Sequence, residues 1–148
     1  MKKNDPPLRP LALKNFRRTD SRLSKIVGNF WNLVWGNEHP ALDQKTKYLL
    51  SLSNAVGGGR YRQATRELIK AYAAGTTVGE LDELFSLFVW NQGAGHFASE
   101  IGPSSLFAAY QLIKTMEERG QLRERVVEEL LKRFGEDNPA VGTGFTDS

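Results

Sequence analysis

The stretch Thr77-Val78-Gly79-Glu80-Leu81-Asp82-Glu83-Leu84-Phe85-Ser86-Leu87-Phe88-Val89-Trp90-Asn91-Gln92 decides the fold class. It opens with a hydroxyl and a carboxylate three residues apart, the spacing at which Thr77 and Glu80 reciprocally satisfy the free amides of a helix start. Leu81, Leu84, Phe85, Leu87, Phe88, Val89 and Trp90 then cover most of the circumference of a helix running to Gln92. A helix of that girth is expected to be buried on several sides, with another subunit supplying one of them.

Working back from Thr77, Gly75 stops a helix from about Arg60 to Ala74 whose apolar side is Ala64, Leu68, Ile69 and Tyr72. Before it, Asp43 reads as the N-cap of a helix carrying Leu49, Leu52 and Val56, ended by Gly57-Gly58-Gly59. Earlier still, Leu23, Ile26, Val27, Phe30 and Val34 share one helical face after Asp20-Ser21, widened by Trp31 and Trp35 and closed by Gly36-Asn37 and Pro40. Working forward, Gly93-Ala94-Gly95 precedes His96 and a short segment to Gly102-Pro103. A helix from about Ser104 to Arg119 follows, with Leu106, Ala109, Tyr110, Ile113 and Met116 or Glu117 in register. After Gly120 a last amphipathic helix is lined by Leu122, Val126, Leu130 and Phe134. Alternating Val/Ile/Thr runs and fixed-period repeats are missing, so the fold class is all-α.

The ends read differently. Pro6, Pro7 and Pro10 predict an extended or disordered arm over residues 1–19, and Pro139, Gly142 and Gly144 predict a flexible tail over residues 135–148. Lys2, Lys3, Arg9, Lys14, Arg17 and Arg18 against Asp5 put the arm at +5 within a net charge of +3, leaving the remaining chain at −2. The basicity belongs to the arm. With Phe16 its one aromatic and no nucleic-acid motif, it reads as a solvated or subunit-wrapping segment. No apolar run reaches membrane-spanning length or follows Lys2 and Lys3 as a secretory signal would, so a cytoplasmic setting with no membrane partner is expected.

Cysteine is absent from the 148 residues, and the histidines are His39 and His96. Disulfide, iron–sulfur and thiolate chemistry are thereby excluded for this chain, and a multi-histidine metal site is not expected.

Leu42-Asp43-Gln44-Lys45-Thr46-Lys47-x-Leu49-Leu50-x-Leu52, Ala71-x-x-Ala74-Gly75-x-Thr77, Glu80-Leu81-x-Glu83 and Gly93 together resemble the carboxymuconolactone decarboxylase family, which includes the alkylhydroperoxidase D-like proteins. The resemblance spans roughly Leu42 to Lys114. It implies an alkylhydroperoxidase D-like helical bundle over residues 20–134, assembled as a homotrimer or homohexamer with sites beside subunit contacts.

Redox members resemble one another in a Cys-x-x-Cys-x-x-x-His motif and a glutamate on the preceding helix. Those positions fall here on Arg60, Gln63, Glu67 and Tyr48, so thiol peroxidase or disulfide reductase activity has no chemical basis. Decarboxylase members keep the glutamate and histidine and often have Gly-x-Pro where this chain has Gly93-Ala94-Gly95.

The residues at those positions suggest different groups in the same cavity. Arg60 and Gln63 are candidate substrate-binding residues for a small carboxylate or lactone, and Glu67, His96 and Tyr48 are candidate catalytic residues for proton transfer. Arg60, Gln63 and Glu67, at i, i+3 and i+7, are expected on one helix face, with Arg60 and the three glycines beside the helix start. On this reading the expectation is a cofactor-free, metal-free lyase or isomerase. The alternative is a non-catalytic oligomer used for binding or assembly, in which Arg60 and Glu67 are solvated or paired with neighbours such as Arg66, and the glycines form only a turn. On either reading Trp31, Trp35, Phe85, Phe88 and Trp90 supply core, interface or cavity lining.

Overall fold

Capping chemistry fixes most of the boundaries in the computed structural model, which describes residues 7–144. The helices are α1 (Arg9–Thr19), α2 (Ser21–Trp35), α3 (Gln44–Gly57), α4 (Tyr61–Ala73), α5 (Val78–Gln92), α6 (Ala94–His96), α7 (Ser105–Glu118) and α8 (Arg123–Arg133), with a π-turn at Phe97–Ile101 after α6. The described residues contain no strand, so the chain is all-α. Asp20, Asp43, Thr77 and Ser104 each accept an amide of the first turn they precede. At α5 the box is complete: Thr77 Oγ1 accepts from the Glu80 amide and Glu80 Oε1 from the Thr77 amide. Glu80 also takes Lys45 Nζ at 2.8 Å, tying the start of α5 to α3.

The stops are equally local. Gly59 has φ 70, with its own amide on Val56 O and that of Arg60 on Ala55 O, closing the last turn of α3 in a left-handed cap. Gly75, at φ 113, repeats this bond pattern at the end of α4 through Tyr72 O and Ala71 O.

Helix α4 is the centre. It forms a hairpin with α3 and packs against α7 and α8, and all nine residues from Ala64 to Tyr72 are buried. Around Leu68, Ile69 and Tyr72 the core gathers Leu52, Val56, Leu81, Phe85, Phe88, Ile101, Leu106, Ile113, Val126 and Leu130. Phe85 stacks on Tyr110 at 3.9 Å and meets Phe88 edge-on at 5.0 Å, which anchors α5 to α7.

Two expectations about the ends are corrected. Residues 9–19 are helical rather than extended because Pro10 occupies the first turn, where a missing N–H leaves no bond unmade. The chain reaches it through Leu8 at φ 72, a costly conformation for leucine, with the Leu8 carbonyl held by Arg66 Nη2 at 2.5 Å. Residues 135–144 are not a loose tail either. Val141 is fully buried, Glu136 bonds Arg66 at 2.9 Å, and Arg62 reaches Pro139 O at 2.8 Å. Pro and Gly content says nothing of contacts made far along the chain, and these residues are fixed by arginines of α4. Lys2 and Lys3 of the basic arm, and residues 145–148, lie outside the described residues.

Among the described residues no helix is long and apolar enough to cross a membrane. Helix α5 buries Leu81, Phe85 and Phe88 but leaves Leu87 54% and Trp90 83% exposed. Helix α2 has no buried residue at all, and Ile26, Phe30 and Leu33 stand open at 63%, 63% and 74%.

Candidate functional site

Helix α4 carries the candidate chemistry, and it changes character along its length. Its start is exposed: Arg60 is the N-cap residue, outside the helix proper, and donates through Nε to Gln63 Oε1 at 3.2 Å and through Nη2 to Asn54 O at 3.3 Å. The guanidinium folds back over Gly58, where a Cβ would meet Nη1 at 2.3 Å. The glycine run thus caps α3 and makes room for the arginine.

Two turns further, the same helix is buried. Glu67 and Lys70 are 6% and 7% exposed, with Lys70 Nζ 3.4 Å from Glu67 Oε1. Glu67 Oε2 is buried and has no hydrogen-bond partner among the described residues. Lys70 Nζ also lies 5.6 Å from the ring centroid of Trp31 on α2. Trp31 meets Trp35 at 5.8 Å, Trp35 stacks on Tyr48 at 4.9 Å, and the Tyr48 hydroxyl accepts from Gln44 Nε2 at 2.9 Å. Tyr48 itself is buried. An acid, a base, two indoles and a phenol from three helices therefore form one continuous patch.

Burial controls the electrostatics of the pair. It pushes the Glu67 carboxyl above the ordinary carboxylate range, with Lys70 and then Arg66 pulling the other way. It pushes the Lys70 ammonium below its ordinary value against the attraction of Glu67. Since burial penalises both charges, the preference for the ionised form of the pair is weaker than it would be in water. Arg66, the neighbour considered for Glu67, instead bonds Glu136, Val141 O and Leu8 O.

His96 stands elsewhere. Its Nε2 is 2.5 Å from the Tyr61 hydroxyl in the first turn of α4, just before the π-turn. Burial and the charge of Glu100 push the Tyr61 phenol up. Of the five residues singled out in the sequence, the structure brings Tyr48 and Glu67 into one patch through the two tryptophans. It sets Arg60 and Gln63 together at the exposed helix start, and pairs His96 with Tyr61.

Lys70 completes the patch and was not singled out, whereas Trp31 and Trp35 were expected as core, interface or cavity lining. The available signal was a lysine three residues after Glu67 inside Leu68-Ile69-Lys70-Ala71-Tyr72, where a solvated face would interrupt the core. Comparison of the chain with protein-family models, with curated proteins and with solved structures gives no match.

Proposed function

We propose that the Glu67–Lys70 pair is the proton-transfer centre of a cofactor-free lyase or isomerase acting on a small carboxylic acid or lactone. The observation that carries this reading is Glu67 Oε2, a buried carboxyl oxygen without a partner beside a buried amine. Structural ion pairs normally satisfy such atoms, and buried acids with perturbed protonation mark sites of proton transfer. In this reading Glu67 takes and returns the substrate proton, Lys70 holds the substrate carboxylate, the Tyr48 hydroxyl donates a hydrogen bond, and Trp31 with Trp35 excludes water. Arg60 and Gln63 remain outside the pair, at the exposed end of the helix. The resemblance to carboxymuconolactone decarboxylases supports the substrate class, because Glu67 and Tyr48 occupy positions used by that family.

The test follows exchange of carbon-bound protons in D2O by proton NMR, across a panel of small carboxylates and five-membered lactones. Exchange catalysed by the parent chain should fall at least about 100-fold in Glu67→Gln, the usual contribution of a positioned acid–base group. A panel with no exchange above the blank, or exchange unchanged in Glu67→Gln, overturns the reading.

A second reading, a non-catalytic assembly module, is favoured by a separate observation: the open apolar residues of α2 and α5. Assembly also accords with the homotrimer or homohexamer that the resemblance implies, and catalysed exchange that is lost in Glu67→Gln would overturn its non-catalytic part.

A further inference from the structure

A groove of about 550 Å³ runs between α7 and α8, away from the Glu67–Lys70 pair. Its apolar wall is Leu112, Met116 and Phe134, and three arginines, Arg119, Arg125 and Arg133, line it with one acid, Glu129. That acid is 7% exposed and already divided: Arg133 Nε donates to Oε1 at 2.7 Å, and Arg125 Nη2 lies 3.5 Å from Oε2. The Arg119 side chain makes no hydrogen bond or ion pair with the described residues. Arg125 Nη1 also lies 3.6 Å from Glu128 Oε1, outside the groove lining, but each guanidinium carries five N–H donors, so these two carboxylates still leave most of the cationic array unused.

We infer that this groove binds an organic anion with an apolar body, an alkyl or aryl carboxylate or phosphate ester. The volume falls in the range of small-molecule sites, apolar walls supply contact area, and arginine forks match the oxygens of carboxylate and phosphate. An uncharged ligand of the same shape would leave three guanidiniums facing one acid and gain only the apolar contact. The inference is independent of the proton-transfer reading and uses no residue of that patch.

The probes are decanoate, decyl phosphate and decanol, titrated calorimetrically into the full chain. At least one of the two anions should bind at least about tenfold tighter than decanol, and the tighter one identifies the head group. Arg119→Gln removes no bond seen in the structure, so folding is preserved; it should weaken the anion about fivefold or more. Ala108→Trp, which fills the groove from its exposed α7 side, should abolish binding, and amide shifts in the parent should concentrate on α7 and α8. Equal affinity for decanol, affinity unchanged in Arg119→Gln, or shifts centred elsewhere would each overturn the inference. So would the absence of binding by both anions.

Discussion

At the scale of single residues, Glu67 and Lys70 make opposite demands on pH. The folded-state carboxyl of Glu67 is raised above its ordinary 4.5, so the stability it allows is complete below that value and declines as pH climbs through the raised one. The Lys70 amine is lowered from 10.5, so its burial costs most while it is still protonated, and stability grows as pH rises through the lowered value. Separating the partners should expose each tendency. Lys70→Met leaves Glu67 without its cation and should give stability that falls more steeply with rising pH; Glu67→Gln should give stability that rises. Urea unfolding at about pH 5 to 9 reads both slopes, and two variants running parallel to the parent would contradict the account. The sequence singled out Glu67 and Tyr48 through spacing and through a resemblance to a known family. It could not disclose Lys70, because a lysine in a helix ordinarily ends in water, whereas here Lys70 is buried with its ammonium against the Trp31 ring of α2.

Among elements, those with both a start and a stop written into a few adjacent residues were legible. The Thr77–Glu80 box and the glycines after α3 and α4 act within one helical turn, so composition and spacing disclose them. Helix α1 was not legible, since Pro10 is permitted in a first turn and forbidden a few residues later, and the sequence does not mark which applies. The segment 135–144 escaped for another reason: its order comes from Arg62 and Arg66, seventy or more positions away. The left-handed cap at Gly59 gives a quantitative expectation. Gly59→Ala meets no neighbouring atom but must hold φ 70, and should destabilise the chain by about 1 kcal/mol through backbone strain alone. Gly59→Asn, which tolerates that region better, should recover part of the loss. Denaturant midpoints compare the two, and an alanine variant as stable as the parent would remove the cap from the account.

For the whole molecule, the surface of α2 sets the expectation. A helix with its apolar stripe open at Ile26, Phe30 and Leu33 carries a patch that lone domains seldom leave in water. We expect the chain to self-associate through it, with a scattering mass in solution a multiple of 16.6 kDa. Phe30→Asp combined with Leu33→Asp should reduce that mass to a single chain while leaving helix content intact, because neither side chain is in the core. A parent of 16.6 kDa at all concentrations would assign the stripe to some other partner.

Arg66 joins Leu8 to Val141 across the central helix, and this bears on the order in which the protein is made. When the ribosome has just added Arg66, one of its three acceptors already exists and the other two lie 70 and 75 residues ahead. Throughout that interval a guanidinium destined for the interior has to remain in water, and with it the face of α4 that it seals. The middle of this molecule is therefore synthesised well before the segment that shuts it, and a chaperone that shields nascent chains would find a target there until that segment arrives.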